Sequence, residues 1–433
     1  MLIRFSVTNF RSIKETQFLS MEASHTISEL PDHVSNVELT ESNRQKQEHL
    51  LKSAVIFGPN ASGKSNVVEA LGHVGHFIIN AARLQRGDEI KWGAPFKLDS
   101  KASGQPSVFE IVFVQKNRNG QTFKYEYGFA LTSERIIEEW LLEYRSGRPT
   151  QLFSREYDPE TQETSWHFGG GLKVGDIPQR TLDNVLFLSK AAQENHLVLS
   201  QVFDWFLHVL TVLPSTRNNN TIIQHYLKTD FEKRKSRLLR FLSDADIRIV
   251  DLQLTEKQLK IRGSRFPENV PDIESDLAKK QSGTKLQSIH VVRDTGQRVE
   301  FDFTRDESDG TQALLALASL FMEAADRKQV IVVDELDKNL HPLLIQMLLR
   351  AFHNFSKGSQ LIFTTHNLHQ MDEDQFRKDQ IWLMEKDRLT ESSFLYCLGD
   401  LKGIRKEHAF DRRYLLGAYG ALPVLGEFDL RMK

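Results

Sequence analysis

The chain has 433 residues, 40% of them hydrophobic and 26% charged, the make-up of a globular protein of two or three domains or of one large domain with insertions. Lysine plus arginine number 56 against 58 acidic residues, a formal net charge of −2, so the surface as a whole is not built for nucleic acid and only a local basic groove is left open. The single cysteine, Cys397, excludes a disulfide framework and a cysteine-rich zinc site and fits a reducing cytoplasm.

In chain order, Met1 to Phe10 alternates apolar and polar residues and predicts a strand; it carries charge throughout and lacks the apolar block of an export signal. Residues 25–50, polar and charged with Asp32, Glu38, Glu41, Arg44 and Lys46, predict a surface loop or short helix. Ser53 to Phe57 predicts a short buried strand and Asn66 to Asn80 a helix. From Val108 to about Phe153, the runs VFEIVFV, FKYEYGFA and Trp140 to Tyr144 predict an antiparallel meander broken by turns such as Asn119-Gly120. Residues 196–242 predict helices with a polar break at Asn218 to Asn220, and strands resume at Ile247 to Leu254 and Ser288 to Val292. Thr311 to Ala325 (helix), Val330 to Val333 (strand), Leu343 to Phe355 (helix) and Gln360 to Thr364 (strand) then alternate as in a parallel sheet with crossover helices. The most apolar helical stretch, Ala313 to Met322, is shorter than the roughly 20 residues a membrane span needs, so a soluble cytoplasmic protein with no membrane partner is expected.

Gly58-Pro59-Asn60-Ala61-Ser62-Gly63-Lys64-Ser65 matches G-x-x-x-x-G-K-[ST] between a predicted strand and a predicted helix. Glycines let the backbone wrap a phosphate, and the helix N-terminus adds partial positive charge. Lys64 supplies a point charge to the outer phosphates, and the Ser65 hydroxyl is the expected Mg²⁺ ligand. The nucleotide-binding segment is therefore Gly58, Asn60, Ala61, Ser62, Gly63, Lys64, Ser65 and Asn66.

Hydrolysis needs a second metal anchor and a base for water. The apolar run Val330 to Val333 ends in Asp334, which can hold Mg²⁺ through water, and Glu335, placed to polarise an attacking water. Lys64 and Asp334 stand 270 positions apart, so a large insertion separates them. Ser308, Asp309 and Gly310 open an apolar helix, as either a second anion site or an ordinary capped helix start. Leu361 to Asn367 is an apolar strand ending in His366, at the edge where ligands of parallel sheets bind.

Taken in order, the P-loop, Ser308 to Gln312, Asp334-Glu335, Leu336 to Pro342 and His366 resemble the ATPase heads of the ABC superfamily, in its SMC and RecF branch. Asn9-Phe10-Arg11-Ser12 after the first strand is similar to that branch too. The segment ESDGT (Glu307 to Thr311) departs from the transporter signature LSGGQ, and no C-x-x-C hook is present. The opening LIRFSVTNFRSIKE with Leu19-Ser20-Met21, the ESDGTQ segment and the ending Tyr414 to Pro423 resemble compact ATPases of phage-defence operons, of the RloA and AbiL type. The resemblance implies an α/β P-loop NTPase with an ABC/SMC-like head: a mixed sheet, an antiparallel β subdomain and a helical insertion lobe. Its implied parts are an N-terminal lobe at 1–195, a mainly helical insertion at 196–285 and a C-terminal lobe at 286–433.

The same resemblance implies ATP and Mg²⁺ held between two protomers of a homodimer or higher homo-oligomer. Ser308, Asp309 and Gly310 of one copy then face the γ-phosphate held by Lys64 of the other. Glu335 is implied as base, His366 as a γ-phosphate contact and Asp337 as a reporter across the dimer. Arg11 reaches the phosphates, and Gln193 joins the Mg²⁺ shell unless it is a surface glutamine. The implied function is an ATP-driven sensor or switch for a separate effector such as a nuclease in antiphage defence, with a RecF-like ATPase that binds DNA directly as the alternative. A small-molecule kinase needs neither signature nor switch histidine. The basic segments Glu232 to Arg240 and Lys402, Arg405, Lys406, Arg412, Arg413 offer either a nucleic-acid contact or a solvated charged face.

Overall fold

The structure, a computed structural model, describes residues 1–40, 45–145, 147–213, 219–257, 283–404 and 409–423. Its strands in chain order are β1 (Leu2–Thr8), β2 (Gln17–Ser20), β3 (Val34–Thr40), β4 (Gln45–Leu51), β5 (Ser53–Phe57) and β6 (Ser107–Lys116). They continue with β7 (Thr122–Leu131), β8 (Ile136–Tyr144), β9 (Pro149–Asp158), β10 (Glu163–Phe168), β11 (Leu210–Leu213) and β12 (Asp251–Lys257). The last six are β13 (Gly283–Val291), β14 (Arg298–Asp302), β15 (Val330–Val333), β16 (Gln360–Thr364), β17 (Ile381–Lys386) and β18 (Ser393–Cys397). The chain divides into two compact units, one of Met1–Ser215, Ala324–Asp337 and Leu349–Lys433, the other of Thr216–Glu323 and Lys338–Leu348.

The larger unit holds two main sheets. One has the order β10-β9-β8-β7-β6-β1-β2 and is antiparallel throughout. The other has the order β11-β15-β16-β5-β17-β18 and is parallel except for the terminal β17–β18 pair. β5, β15 and β16 are buried along their whole lengths, which is what their unbroken apolar runs require of strands covered on both faces. The helix Lys64–Asn80 buries Val67, Val68, Leu71, Val74 and Phe77. They join one core with Phe5, Val7, Phe109, Phe113 and Phe129 of the antiparallel sheet and Ile56, Val330, Val332 and Ile362 of the parallel one. Phe113 also stacks on Trp205, ring centroids 4.4 Å apart.

Register sets the functional edge. Val333 lies beside Phe363, Thr364 beside Ile56, and Leu383 beside Phe57. The segments that follow β15, β16 and β5 therefore all leave the sheet at one C-terminal edge.

The smaller unit contains the three-stranded antiparallel sheet β12-β13-β14 and the helices Asn219–Leu227 and Phe231–Asp244. In the second of these, Leu238 and Leu242 are buried, Arg234 pairs with Glu323 at 2.6 Å and Lys235 with Asp251 at 3.1 Å. Those two cations of the basic segment Glu232 to Arg240 are thus committed to intramolecular pairs. Of the other basic cluster, Arg405 and Lys406 lie outside the described residues.

The expected loop or helix at residues 25–50 is instead largely the hairpin β3–β4, paired from Val34↔Leu51 to Thr40↔Gln45. Leu39, Leu50 and Leu51 are its buried anchors, too few for a period to show among so many charges. Glu41 and Arg44 of that stretch fall outside the described residues, as does Asn218. Asn219 and Asn220 begin a helix rather than break one, and β11 interrupts the expected helical run, since a four-residue run of three apolar residues and Thr211 fits either state.

Candidate functional site

The loop from Gly58 to Gly63 joins β5 to the helix Lys64–Asn80. Gly58 (φ 157°) and Gly63 (φ 107°) take conformations closed to most side chains, and space closes them as well. A Cβ on Gly58 would overlap the Met384 carbonyl oxygen of β17, and one on Gly63 would overlap Ser393 Oγ of β18. The helix starts at Gly63 with no side-chain cap. Among the described residues no acceptor takes the amides of Asn60, Ala61, Gly63, Lys64 or Ser65, and buried Ser62 Oγ has no partner. A cradle of unpaired donors at a helix N-terminus fits a polyphosphate.

Lys64 is buried, its Nζ donating to the carbonyl oxygens of Gly58 at 2.8 Å and Pro59 at 2.9 Å. Burial lowers its pKa to about 8 against the opposing pull of Asp334, Glu335 and Asp337. The His366 imidazole is lowered too, first by burial, then by the Lys64 charge, with Asp337, Glu335 and Asp334 pulling the other way. The fold thus brings Lys64, Asp334, Glu335, Asp337 and His366, scattered over some three hundred positions, within electrostatic reach of one another.

Asp334 is buried, and its amide donates to the Leu213 carbonyl of β11 at 3.1 Å. Glu335 has φ 51°, the left-handed region that a non-glycine residue occupies at a cost of about 1–3 kcal/mol. Its Oε1 lies 3.9 Å from His366 Nε2, too far for a hydrogen bond. Asp334 and Ser65 are the residues that would hold a divalent metal. Among the described residues no group of three or more His, Cys, Asp or Glu is placed to cage one.

Arg11 (φ 52°) pairs with Glu69 in the second turn of the P-loop helix, and its amide donates to the Ala94 carbonyl at 2.6 Å. Its neighbour Ser12 does approach the loop: Ser12 Oγ accepts from Asn66 Nδ2 at 2.6 Å and from Ser393 Oγ at 2.7 Å. Gln193, exposed at the end of the helix Phe187–Gln193, accepts from Lys190 Nζ at 3.2 Å and has no described bond to the P-loop. Arg11 and Gln193 are thus not gathered with the central group.

In the smaller unit Ser308 caps the helix Asp309–Arg327, its Oγ accepting from the Thr311 amide at 3.1 Å. Asp309 is the helix's first residue, and a Cβ on Gly310 would come within 2.9 Å of the Asn339 carbonyl oxygen. Glu307 receives Ser288 Oγ at 2.5 Å and His290 Nε2 at 2.6 Å, which ties the start of this segment to β13.

Sequence reasoning missed Ser393 and Thr364, whose partners are non-local. Thr364 Oγ1 donates to Asp334 Oδ1 at 2.6 Å and accepts from the Glu335 amide at 2.8 Å.

A family model described as "AAA domain, putative AbiEii toxin, Type IV TA system" matches residues 53–372, from β5 past His366. A curated relative, "Retron Vc95 probable ATPase" of Vibrio cholerae serotype O1 biovar El Tor, is 19% identical over 390 residues, covering 82% of this chain and 74% of the relative. Among solved structures, an SMC head domain from Thermotoga maritima aligns at TM-score 0.39 and 15% identity, covering 92% of this chain and 98% of that one. An SMC head bound to the C-winged helix domain of ScpA aligns at TM-score 0.45 and 13% identity, covering 92% of this chain and 97% of that one.

Proposed function

The chain belongs to that AAA-domain family, and from this premise we propose that it binds ATP at the Gly58–Ser65 loop and hydrolyses it with Mg²⁺. The observation that carries the reading is the grouping of Lys64, Asp334, Glu335, Asp337 and His366 at the sheet edge where the unpaired amides of the loop lie. Lys64 leaves the carbonyls of Gly58 and Pro59 to meet the β- and γ-phosphates. Ser65 and Asp334 would hold the metal, which would supply neutralisation of phosphate charge. Glu335 accepts the proton of the attacking water, and a ring N–H of His366 donates to the γ-phosphate.

In the same reading, Ser308, Asp309 and Gly310 of one protomer complete the site of another, Asp337 senses that partner, and ATP closes a homodimer. Arg11 and Gln193 join only after their present bonds to Glu69 and Lys190 are exchanged. The likeness to a probable ATPase of a retron is what ranks a defence role first, and in that role we read the chain as a switch acting on a separate effector. Direct DNA loading has no comparable support, because Arg234 and Lys235 of the basic helix are used internally.

The test is equilibrium binding of ATP with and without Mg²⁺. Lys64→Ala should weaken it by about a hundredfold or more through loss of charge-assisted bonds, and should stop turnover. Equal affinity in the two proteins would refute the site.

A further inference from the structure

We infer that Thr364 is a positioning residue for ATP hydrolysis, one hydroxyl that fixes both members of the acidic pair; this rests on the ATPase reading above. Thr364 is the last residue of β16 and is fully buried. A threonine hydroxyl has one proton to give, and here it goes to Asp334 Oδ1 at 2.6 Å. The lone pair of the same oxygen takes the Glu335 amide at 2.8 Å, and the Thr364 carbonyl takes the Leu336 amide at 3.1 Å.

Two consequences follow from this geometry. First, one lone pair of Asp334 Oδ1 is engaged on the protein side, which restrains rotation of the carboxylate and leaves Oδ2 the freer oxygen for a metal shell. Second, the two amide bonds to Thr364 bracket Glu335 and hold the left-handed turn at φ 51°, which nothing in the side chain of a glutamate favours. Fully buried, Thr364 is a positioning residue and not a catalytic one. It acts through Asp334 and Glu335, on the strand that also delivers His366.

The experiment compares wild type, Thr364→Val and Thr364→Ser by steady-state turnover, ATP binding and the Mg²⁺ concentration that half-saturates nucleotide binding. Valine keeps the shape and the carbonyl bond to Leu336 and removes both bonds of the hydroxyl; serine keeps all three. Thr364→Val should lose about 10–100-fold in kcat with KM for ATP little changed, as when an outer-shell partner of a metal ligand is removed, and its Mg²⁺ midpoint should rise. Thr364→Ser should remain within about threefold of wild type on all three measurements. A folded valine variant with wild-type kcat and Mg²⁺ midpoint would overturn the inference. If the valine variant does not fold, the serine variant decides, since a folded serine protein that loses more than about tenfold in kcat shows that the hydroxyl is not what matters. The two readings fail separately: turnover that survives Lys64→Ala sinks the ATPase site, whereas Lys64-dependent turnover untouched by Thr364→Val sinks only the role of Thr364.

Discussion

At the scale of single residues, the lysine of the loop carries a consequence for pH. In the nucleotide-free protein burial brings Lys64 down to about 8, and its proton is held only by two neutral carbonyls and more distant acids. Phosphate oxygens favour the charged form and raise that pKa on binding. Below pH 8 the lysine is already charged and ATP binding moves no proton. Above it the free protein has lost the proton and must regain it, so affinity should fall as pH rises past 8, with uptake of up to about one proton per ATP. Calorimetry at pH 8.5 in buffers of different ionisation enthalpy measures that number. Zero uptake there would mean that Lys64 does not meet the phosphates. The residues of this site differ in how far sequence alone reveals them. Lys64 and Asp334 stand in local patterns that dictate their chemistry. Thr364 does not, because its two partners lie 29 and 30 residues away and no spacing connects them.

At the scale of elements, buried runs were the most legible feature. SAVIF, VIVV and QLIFT are apolar because strands covered on both faces must be, and the meander from β6 to β9 shows in its alternation and turns. Less legible was whatever depends on two distant elements meeting, such as β17 and β18 closing on Gly58 and Gly63. The buried pair Glu139–Arg155 is another such case. Glu139 is fully buried, 3.2 Å from Arg155 Nε, and accepts from Tyr127 Oη at 2.9 Å and from the amides of Phe187 at 2.7 Å and Leu188 at 3.0 Å. The carboxylate thus ties β8 to the first turn of the helix Phe187–Gln193. Glu139→Ala leaves Arg155 charged and unpaired in the core, and should cost about 3–5 kcal/mol in urea unfolding. It should also speed amide exchange in that helix before other parts of the larger unit. Exchange unchanged at Phe187 and Leu188 would refute the link.

At the scale of the whole molecule, the proposal turns on what ATP does to two copies of the chain. Glu335→Gln keeps the shape and hydrogen-bonding reach of the side chain and removes the charge that polarises water. Loss of a general base slows turnover by about 10²–10⁴-fold, while Lys64, Ser65 and Asp334 still bind the nucleotide. The variant should therefore accumulate as an ATP-bound dimer, visible as a doubling of mass by light scattering when ATP and Mg²⁺ are added. Ser308→Arg placed on top of it puts a long cation where the partner's γ-phosphate is expected to meet a helix N-terminus. That double variant should bind ATP as a monomer. A protein that acts as a switch is set by the population of the closed state, so Glu335→Gln should also hold its effector more tightly than wild type in co-purification from its native host. A motor that must cycle would instead keep its partner bound without activity. Unchanged turnover in Glu335→Gln would place the base on another residue, and an ATP-dependent dimer that survives Ser308→Arg would remove the signature from the partner's site.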